Sequence, residues 1–552
     1  MSIASRRPSR THDVLNQSTP LVDYNLFETD PALVEAVQRE GAGWAADELR
    51  ALGAKVGSEE VIAWGFLANR NQPVLHTHDR FGYRIDEVEF HPAWHKLLEL
   101  SVSAGIAGRP WRDARKGAHV ARAAASFLAS QNEAGHGCPV TMTYASVPAL
   151  RAAPDLAAAL IPKITSDIYD PRLLPMQQKT GVLVGMAMTE KQGGSDVRAN
   201  TTRAVAAGSG GPGSEYLVTG HKWFCSAPMC DAFLMLATTS RGLGCFLLPR
   251  FLPDGSRNAF ALQRLKDKLG NRSNASSEIE FDSASATLVG EEGHGIRTIL
   301  EMASHTRLDC VIGSAALMRQ ALVQASHHVR ERSAFGKRLI EQPLMQNVIA
   351  DLTLESEAAT VLALRLARAY DARPDDEREI AFRRIATPIA KYWVCKRAIA
   401  HVAEALECLG GNGFVEESIL PRLYRESPIN SLWEGSGNVM CLDVLRAASR
   451  ETATLEALLA EIDLAKGGDR RHDELAVRVR GWLAESDRER AARRIAEGLA
   501  LLLQGSLLLR HASQPMADAF CAARLGAEGG RGFGALPASV DVAAILRRVE
   551  AI

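Results

Sequence analysis

The spacing of apolar residues changes twice along this chain of 552 residues, and the change sets the order of its folding units. From residue 31 to about 161, apolar residues recur three and four apart. Leu33, Ala36 and Val37 do so early, Trp94, Leu97 and Leu98 later, and an alanine-rich run follows over 117–128. That spacing lines one face of a helix. Near Gly181 it gives way to short alternating or wholly apolar runs at 215–219, 232–238, 245–248 and 277–281, separated by Gly, Pro and Asp clusters. Such runs predict an antiparallel β domain over 181–289, with Gly220 ending one strand and the glycine-rich stretch 207–214 forming a loop tip. Helical spacing returns at Gly295, and long elements over 313–332, 343–370 and 380–409 predict a bundle. This order is not the alternation of a parallel α/β sheet, and no G-x-G-x-x-G follows a strand and opens a helix, so a Rossmann domain is not expected. The class expected is α+β, mainly α, in four units: 1–180 helical with an extension, 181–289 β, 290–448 a helical bundle, and 449–552 a further helical region.

Charge and cysteine usage narrow the function classes. The net charge is −1, so affinity for nucleic acid or a membrane would need a local patch. No apolar run approaches the roughly 20 residues that span a bilayer. The nine cysteines are scattered without C-x-x-C or zinc spacing, as expected of reduced thiols in a reducing, cytoplasmic compartment. His91 and His95 share a helix spacing, but Pro92 lies between them and no third ligand is evident, which favours a structural role over a metal site. Met1–Arg10 carries Arg6, Arg7 and Arg10 with serines and no acid, a faint transit-peptide character without the length or the apolar face, so a simple tail is expected. In the last hundred residues Asp487, Arg488, Glu489, Arg490, Arg493 and Arg494 alternate in sign, and arginines cluster at Arg470, Arg471, Arg478 and Arg480. Mixed signs ordinarily mark a solvated helix face.

Residues 431–446 place one carboxylate, Glu434, between Trp433 and the run Gly435, Ser436, Gly437 and Asn438, after which helical spacing resumes. Small residues let a backbone approach a ligand, and a helix start offers unpaired N–H groups to an anion. Two readings follow: a carboxylate beside a phosphate-bearing cofactor, or an exposed turn between helices.

Several separated stretches resemble one family, the acyl-CoA dehydrogenases. Residues 185–196, with Met188, Thr189, Glu190, Gly194, Ser195 and Asp196, are similar to that family's M-T-E-x-x-x-G-S-D stretch. Gly220, Lys222, Phe224 and Ser226 are similar to G-x-K-x-aromatic-x-[ST], and Arg332, Phe335, Gly336 and Lys337 to R-x-x-F-G-K. Residues 409–414 with the Glu434–Gly435 step, and residues 268–272 leading to 288–290, complete a match over about 120–448. The resemblance implies a helical domain, a central β domain and a helical bundle, assembled as a homotetramer around FAD. It implies that Met188, Thr189, Gly194, Ser195 and Ser226 meet the cofactor, as short hydroxyls and open backbone suit. Phe224, or neighbouring Trp223, would stack on the ring, and Arg332 would pair with phosphate. Phe335, Gly410 and Gly411 would flank the adenine half of an FAD held largely by a neighbouring subunit. Trp433, Gly435, Ser436 and Asn438 complete the implied set. Glu434 matches the base that takes the α-proton of an acyl thioester; the other position used for that base, just before Arg307, holds Thr306. The alternatives are a carboxylate retained without turnover, or one that caps the next helix.

This sequence departs from the family at Glu407, where glutamine is usual, at Glu434-Gly435-Ser436 in place of E-G-T, and in its longer ends. These departures resemble the AidB-like subgroup of the bacterial adaptive response to alkylation, on Asn16-Gln17 to Pro20, residues 40–44, 90–95, 433–438 and 441–446. That resemblance implies binding of FAD and double-stranded DNA, and weak dehydrogenation of short branched acyl-CoAs such as isovaleryl-CoA. Arg446, Arg470, Arg471, Arg478 and Arg480 are then the candidate phosphate contacts, sequence-independent and salt-sensitive. The competing expectation is an ordinary acyl-CoA dehydrogenase whose C-terminal region serves only assembly.

Overall fold

The computed structural model describes residues 11–550; the arginine-bearing start discussed above lies outside the described residues. The N-terminal part is a set of helices whose beginnings are written locally. The Asp30 carboxylate caps helix Pro31–Arg39 by accepting from the Leu33 N–H, Ser58 does so for Glu59–Arg70, and His91 for Pro92–Ser103. Proline in the first helical turn, where an N–H has no partner to lose, adds to the signal at Pro31 and Pro92. His91 is thus a cap, and His95 hydrogen-bonds the Tyr169 hydroxyl at 2.8 Å.

The spacing predicts a mostly helical region, and one hairpin interrupts its helices. Strands Val74–His78 and Arg84–Glu89 form an antiparallel hairpin. Its residues are exposed or half-buried along most of both strands, so no apolar alternation announces it.

The β domain holds seven strands. Glu215–Ser226 and Ser276–Val289 form its long antiparallel centre. Pairing passes from Ala232–Thr239 through Arg203–Ala206 to that centre and returns through Gly242–Pro249, so the sheet closes on itself like a barrel. Two expectations need correction. Val184–Ala187 pairs parallel to Ala232–Thr239, so the domain is mixed rather than purely antiparallel. Gly220 does not end a strand. It sits at a register shift inside Glu215–Ser226, where an added Cβ would lie 2.6 Å from the Thr202 hydroxyl oxygen, so the close approach of Thr202 demands glycine.

The bundle is built on Gly295–Glu331, Pro343–Tyr370 and Glu377–Cys408. The buried helix Gly137–Leu150 and helix Ala118–Asn132 pack against the first of these, joined to it by the Arg122–Asp309 ion pair. The C-terminal helices Thr452–Asp463 and Arg488–His511 also lie on the bundle, and Arg470–Ala484 packs on the latter. Arg365 bonds both Glu379 and Glu461, and Arg510 bonds Glu461. Among the described residues no helix is long and apolar enough to cross a membrane.

Candidate active site

Glu434 stands against helix Gly295–Glu331 of the bundle, where Thr306 and Arg307 meet it. Its backbone takes φ 58°, a conformation that bulky L-residues adopt only when surroundings impose it. The imposition is visible on both sides. Arg307 Nε donates to the Glu434 carbonyl at 2.9 Å, while its Nη1 holds Asp443 at 3.1 Å. The buried Lys391 ammonium donates to the carbonyls of Asn430 at 3.0 Å and Gly435 at 2.8 Å. Gly435 is at φ 106°, and a Cβ there would lie 2.5 Å from the Met440 methyl carbon. Trp433 is pinned by its indole N–H to Asn430 Oδ1 at 3.0 Å.

The carboxyl itself meets Thr306, whose hydroxyl lies 2.8 Å from Glu434 Oε2 and 3.1 Å from the Ala303 carbonyl. One hydroxyl proton faces two acceptors. It goes to the carboxylate when Glu434 is ionised and to Ala303 when Glu434 is protonated and donates in its turn. Burial pushes the Glu434 carboxyl above its ordinary value, against the opposing pull of Thr306, Arg307 and Lys391. The buried Cys138 thiol, pushed up to about 12 by burial, lies within the influence of Lys268, Glu434, Asn274 and Ser226.

The motif residues of the β domain divide between holding the site and facing it. Glu190 and Lys222 form a fully buried pair at 2.8 Å that ties the first two motifs together. Burial raises the Glu190 carboxyl, but Lys222 and the Thr201 and Thr202 donors outweigh it and hold it at about 2. Lys222 also reaches the Met188 carbonyl, and the Thr189 carbonyl accepts from the Trp223 N–H. Gly194 and Ser195 lie exposed on the following loop. Ser226 is 3.2 Å from Ser276 Oγ, Phe224 is 52% exposed, and the Lys266 ammonium sits 3.4 Å over the Trp223 ring.

The second group of expected residues lies elsewhere. Arg332 follows the end of helix Gly295–Glu331, Phe335 is 98% exposed, and Gly410 and Gly411 have open space where a Cβ would stand. Thr306 and Arg332 are 26 residues apart along that helix, roughly 39 Å at 1.5 Å per residue. One chain therefore ties the Met188–Thr189 turn to the strand that carries Ser226, and sets Arg332 and its hairpin far along the helix from the Thr306 that meets Glu434. Ser436 occupies the cap position of helix Gly437–Arg450, and Asn438 accepts from Arg493 of the C-terminal helices at 2.9 Å.

Of the arginines considered for DNA, Arg471 forks Asp469 and Arg480 bonds Asp463 at 2.7 Å. Arg470 stands 3.6 Å from Glu474 and Arg446 4.0 Å from Asp443, both largely exposed, and Arg478 is exposed. A surface cavity of about 670 Å³, lined by Arg84, Asp86, His221, Arg257 and Asp282 among others, includes none of the residues around Glu434. Sequence reasoning missed Lys391, Asn430 and Cys138. A lysine inside the apolar stripe of helix Glu377–Cys408 was the available signal for the first.

The chain belongs to the acyl-CoA dehydrogenase family, in its AidB group. The family descriptions matched are the adaptive response protein AidB N-terminal domain over 16–171, the acyl-CoA dehydrogenase middle domain over 185–284 and the C-terminal domain over 293–449. It is 50% identical to AidB of Escherichia coli (strain K12) over 523 residues, 94% of this chain and 96% of that protein. It is 30% identical to acyl-CoA dehydrogenase family member 11 of Caenorhabditis elegans over 531 residues, 89% of this chain and 84% of that one. The crystal structure of Caenorhabditis elegans ACDH-11 in complex with C11-CoA superposes with a TM-score of 0.83 at 27% identity, covering 99% of this chain and 94% of that chain. The protein is an FAD-dependent oxidoreductase of this type. Its residues fit that cofactor: exposed aromatics, hydroxyls at Thr189 and Ser226, an arginine at a helix end, and glycines with open space beside them.

Proposed function

We propose that the chain oxidises an acyl-CoA thioester at its α,β bond, with Glu434 as the base, and that it does so slowly, on short branched acyl groups such as isovaleryl. The observation that carries this reading is the Glu434 carboxyl, lifted by burial and held by one hydroxyl able to serve both of its protonation states. Bound FAD supplies the hydride acceptor. Glu434 takes the α-proton at its carboxylate, and Thr306, Arg307 and Lys391 keep that carboxylate aimed while it changes charge. Met188, Thr189, Gly194, Ser195, Trp223, Phe224, Ser226, Trp433, Gly435, Ser436 and Asn438 form the ring-side surface for the cofactor. Arg332, Phe335, Gly410 and Gly411 of a second protomer meet its phosphate and adenine half. The separation along helix Gly295–Glu331 supports that division, and with it a homotetramer. Anaerobic flavin reduction with a panel of acyl-CoAs tests the reaction; no bleaching by any of them overturns it.

We also propose that the protein binds double-stranded DNA in an alkylation response, from the reducing cytoplasm. The exposed Arg446, Arg470 and Arg478 favour this reading, as do the similarity to AidB and nine free, buried thiols. Arg471 and Arg480 keep acidic partners and contribute less. A duplex titration at two salt concentrations tests it. Binding absent at physiological salt, together with fast flavin bleaching, would instead identify an ordinary acyl-CoA dehydrogenase whose C-terminal helices serve assembly.

A further inference from the structure

The loop that carries Arg332 and Phe335 is a small hairpin under conformational stress. Ser333 and Ala334 pair antiparallel with Arg338 and Lys337, and the two residues between them, Phe335 and Gly336, have φ of 54° and 79°. A two-residue turn with both central φ positive is the mirror-image type that favours Asn-Gly. Here a phenylalanine occupies its first position, which a bulky residue adopts only where the surroundings impose it. Phe335 is almost fully exposed, so no packing of its own ring supplies that imposition.

Gln342 and Leu339 bond the hairpin from its own side, at the Ala334 and Arg332 carbonyls, and further support comes from the other end of the sequence. Asn16 Oδ1 accepts from the Ser333 N–H at 2.7 Å and its Nδ2 donates to the Ser333 carbonyl at 2.8 Å, as an added strand would. The Asn16 carbonyl accepts from Arg332 Nη1. Asn16 is itself at φ 55°, which asparagine tolerates better than most residues. Next to it, Ser18 bonds His328 at 2.8 Å. The Thr19 N–H and hydroxyl both donate to Glu331, and His327 bonds the Thr19 carbonyl at 2.8 Å. Three residues of a largely exposed strap, Asn16, Ser18 and Thr19, therefore grip the last helical turn and the hairpin, more than 300 positions away.

We propose that residues 16–19 hold the 332–338 hairpin in the form that receives the phosphate and adenine half of FAD, making Asn16 a positioning residue for the cofactor. This rests on the reading that Arg332 and Phe335 meet FAD. The strap stands off the hydrophobic core, so its removal alters the loop and not the fold.

The test is FAD affinity by fluorescence titration of full-length apoprotein, with Asn16→Ala, Arg332→Ala and the double variant, alongside the melting temperature of each apoprotein. Asn16→Ala is expected to weaken FAD binding about tenfold with the apoprotein melting temperature unchanged. The double variant is expected to be weaker than wild type by less than the product of the single effects, since both act through one loop. Asn16→Asp, which keeps the acceptor to Ser333 and loses the donor, is expected to fall between. Independent, multiplying effects would overturn the proposal, as would an Asn16→Ala protein with normal affinity when Arg332→Ala is weakened. If Arg332→Ala itself binds FAD normally, the assignment of the loop to the cofactor falls, and the proposal with it.

Discussion

The two ends of helix Gly295–Glu331 face opposite situations. Near its start, at Thr306 and Arg307, the groups around Glu434 find partners within the chain: a hydroxyl, a guanidinium, the Lys391 ammonium and a second acid, Asp443. Beyond its end Phe335 faces outward, as Phe414 and the Gly410–Gly411 turn do elsewhere on the surface, and a strap from the N-terminus joins Gln342 and Leu339 in holding the hairpin. A carboxyl that must change charge in place needs its neighbours pinned beforehand. On the proposed reading, the open surface waits for the cofactor and a second protomer. The difference teaches that the groups around Glu434 are preorganised within one chain, while the Phe335 surface has no partner of its own there.

The sharpest way to break this comparison is Glu434→Gln. Substrate-dependent flavin reduction is expected to fall by about 10²- to 10⁴-fold while FAD content stays, because the amide cannot take a proton. Unchanged reduction by stopped-flow absorbance would remove Glu434 from its role. At the open end, Arg332→Ala is expected to weaken FAD binding by roughly 10- to 100-fold, the scale of about 1.5–3 kcal/mol for a charged hydrogen bond, with the step of proton removal little altered once saturated. Loss of turnover at saturating FAD would place Arg332 at the chemistry instead.

Thr306→Val tests the pinned end more finely. The base acts when ionised, and burial raises its pKa, so flavin reduction is expected to rise with pH through that raised value and level off above it. Valine removes the hydroxyl that favours the ionised form, so the midpoint of the pH profile should move up, and Thr306→Ser should restore it. A midpoint that stays put would show that Thr306 only packs. The smallest effect is expected on the C-terminal helices. Arg478→Ala should lower the slope of log affinity for duplex DNA against log salt by about one, and Arg480→Ala, whose partner is Asp463, by less. Equal effects would mean that the Asp463 pair opens on binding.

Much of the pinned end was legible in the sequence, and the reasons lie in particular residues. Glu434 stood out because glycine and serine follow it, and Thr306 because it occupies the alternative place for a base. That Thr306 is the donor to Glu434 was not legible, because 128 residues separate them and neither side chain's local spacing encodes the other. Glu190 and Lys222 read as motif letters near a cofactor; the fold shows them as a buried pair that joins two loops. Hairpin Val74–Glu89 was hidden because exposed strands carry no apolar alternation, and the parallel pairing of Val184–Ala187 because a wholly buried strand looks the same in either direction.

By itself the sequence determined the order of the folding units, the helix starts capped by Asp30 and Ser58, the glycines where the backbone must turn, and the set of chemically able side chains. Those follow from local torsions, capping and the period of apolar residues, which neighbouring positions dictate. Only the tertiary structure decided which hydroxyl meets which carboxylate, that Asn16 bonds a loop more than 300 residues away, and that a continuous helix keeps Thr306 and Arg332 roughly 39 Å apart. Those depend on how rigid elements stack, and stacking is a property of the whole packed core rather than of any one stretch of it.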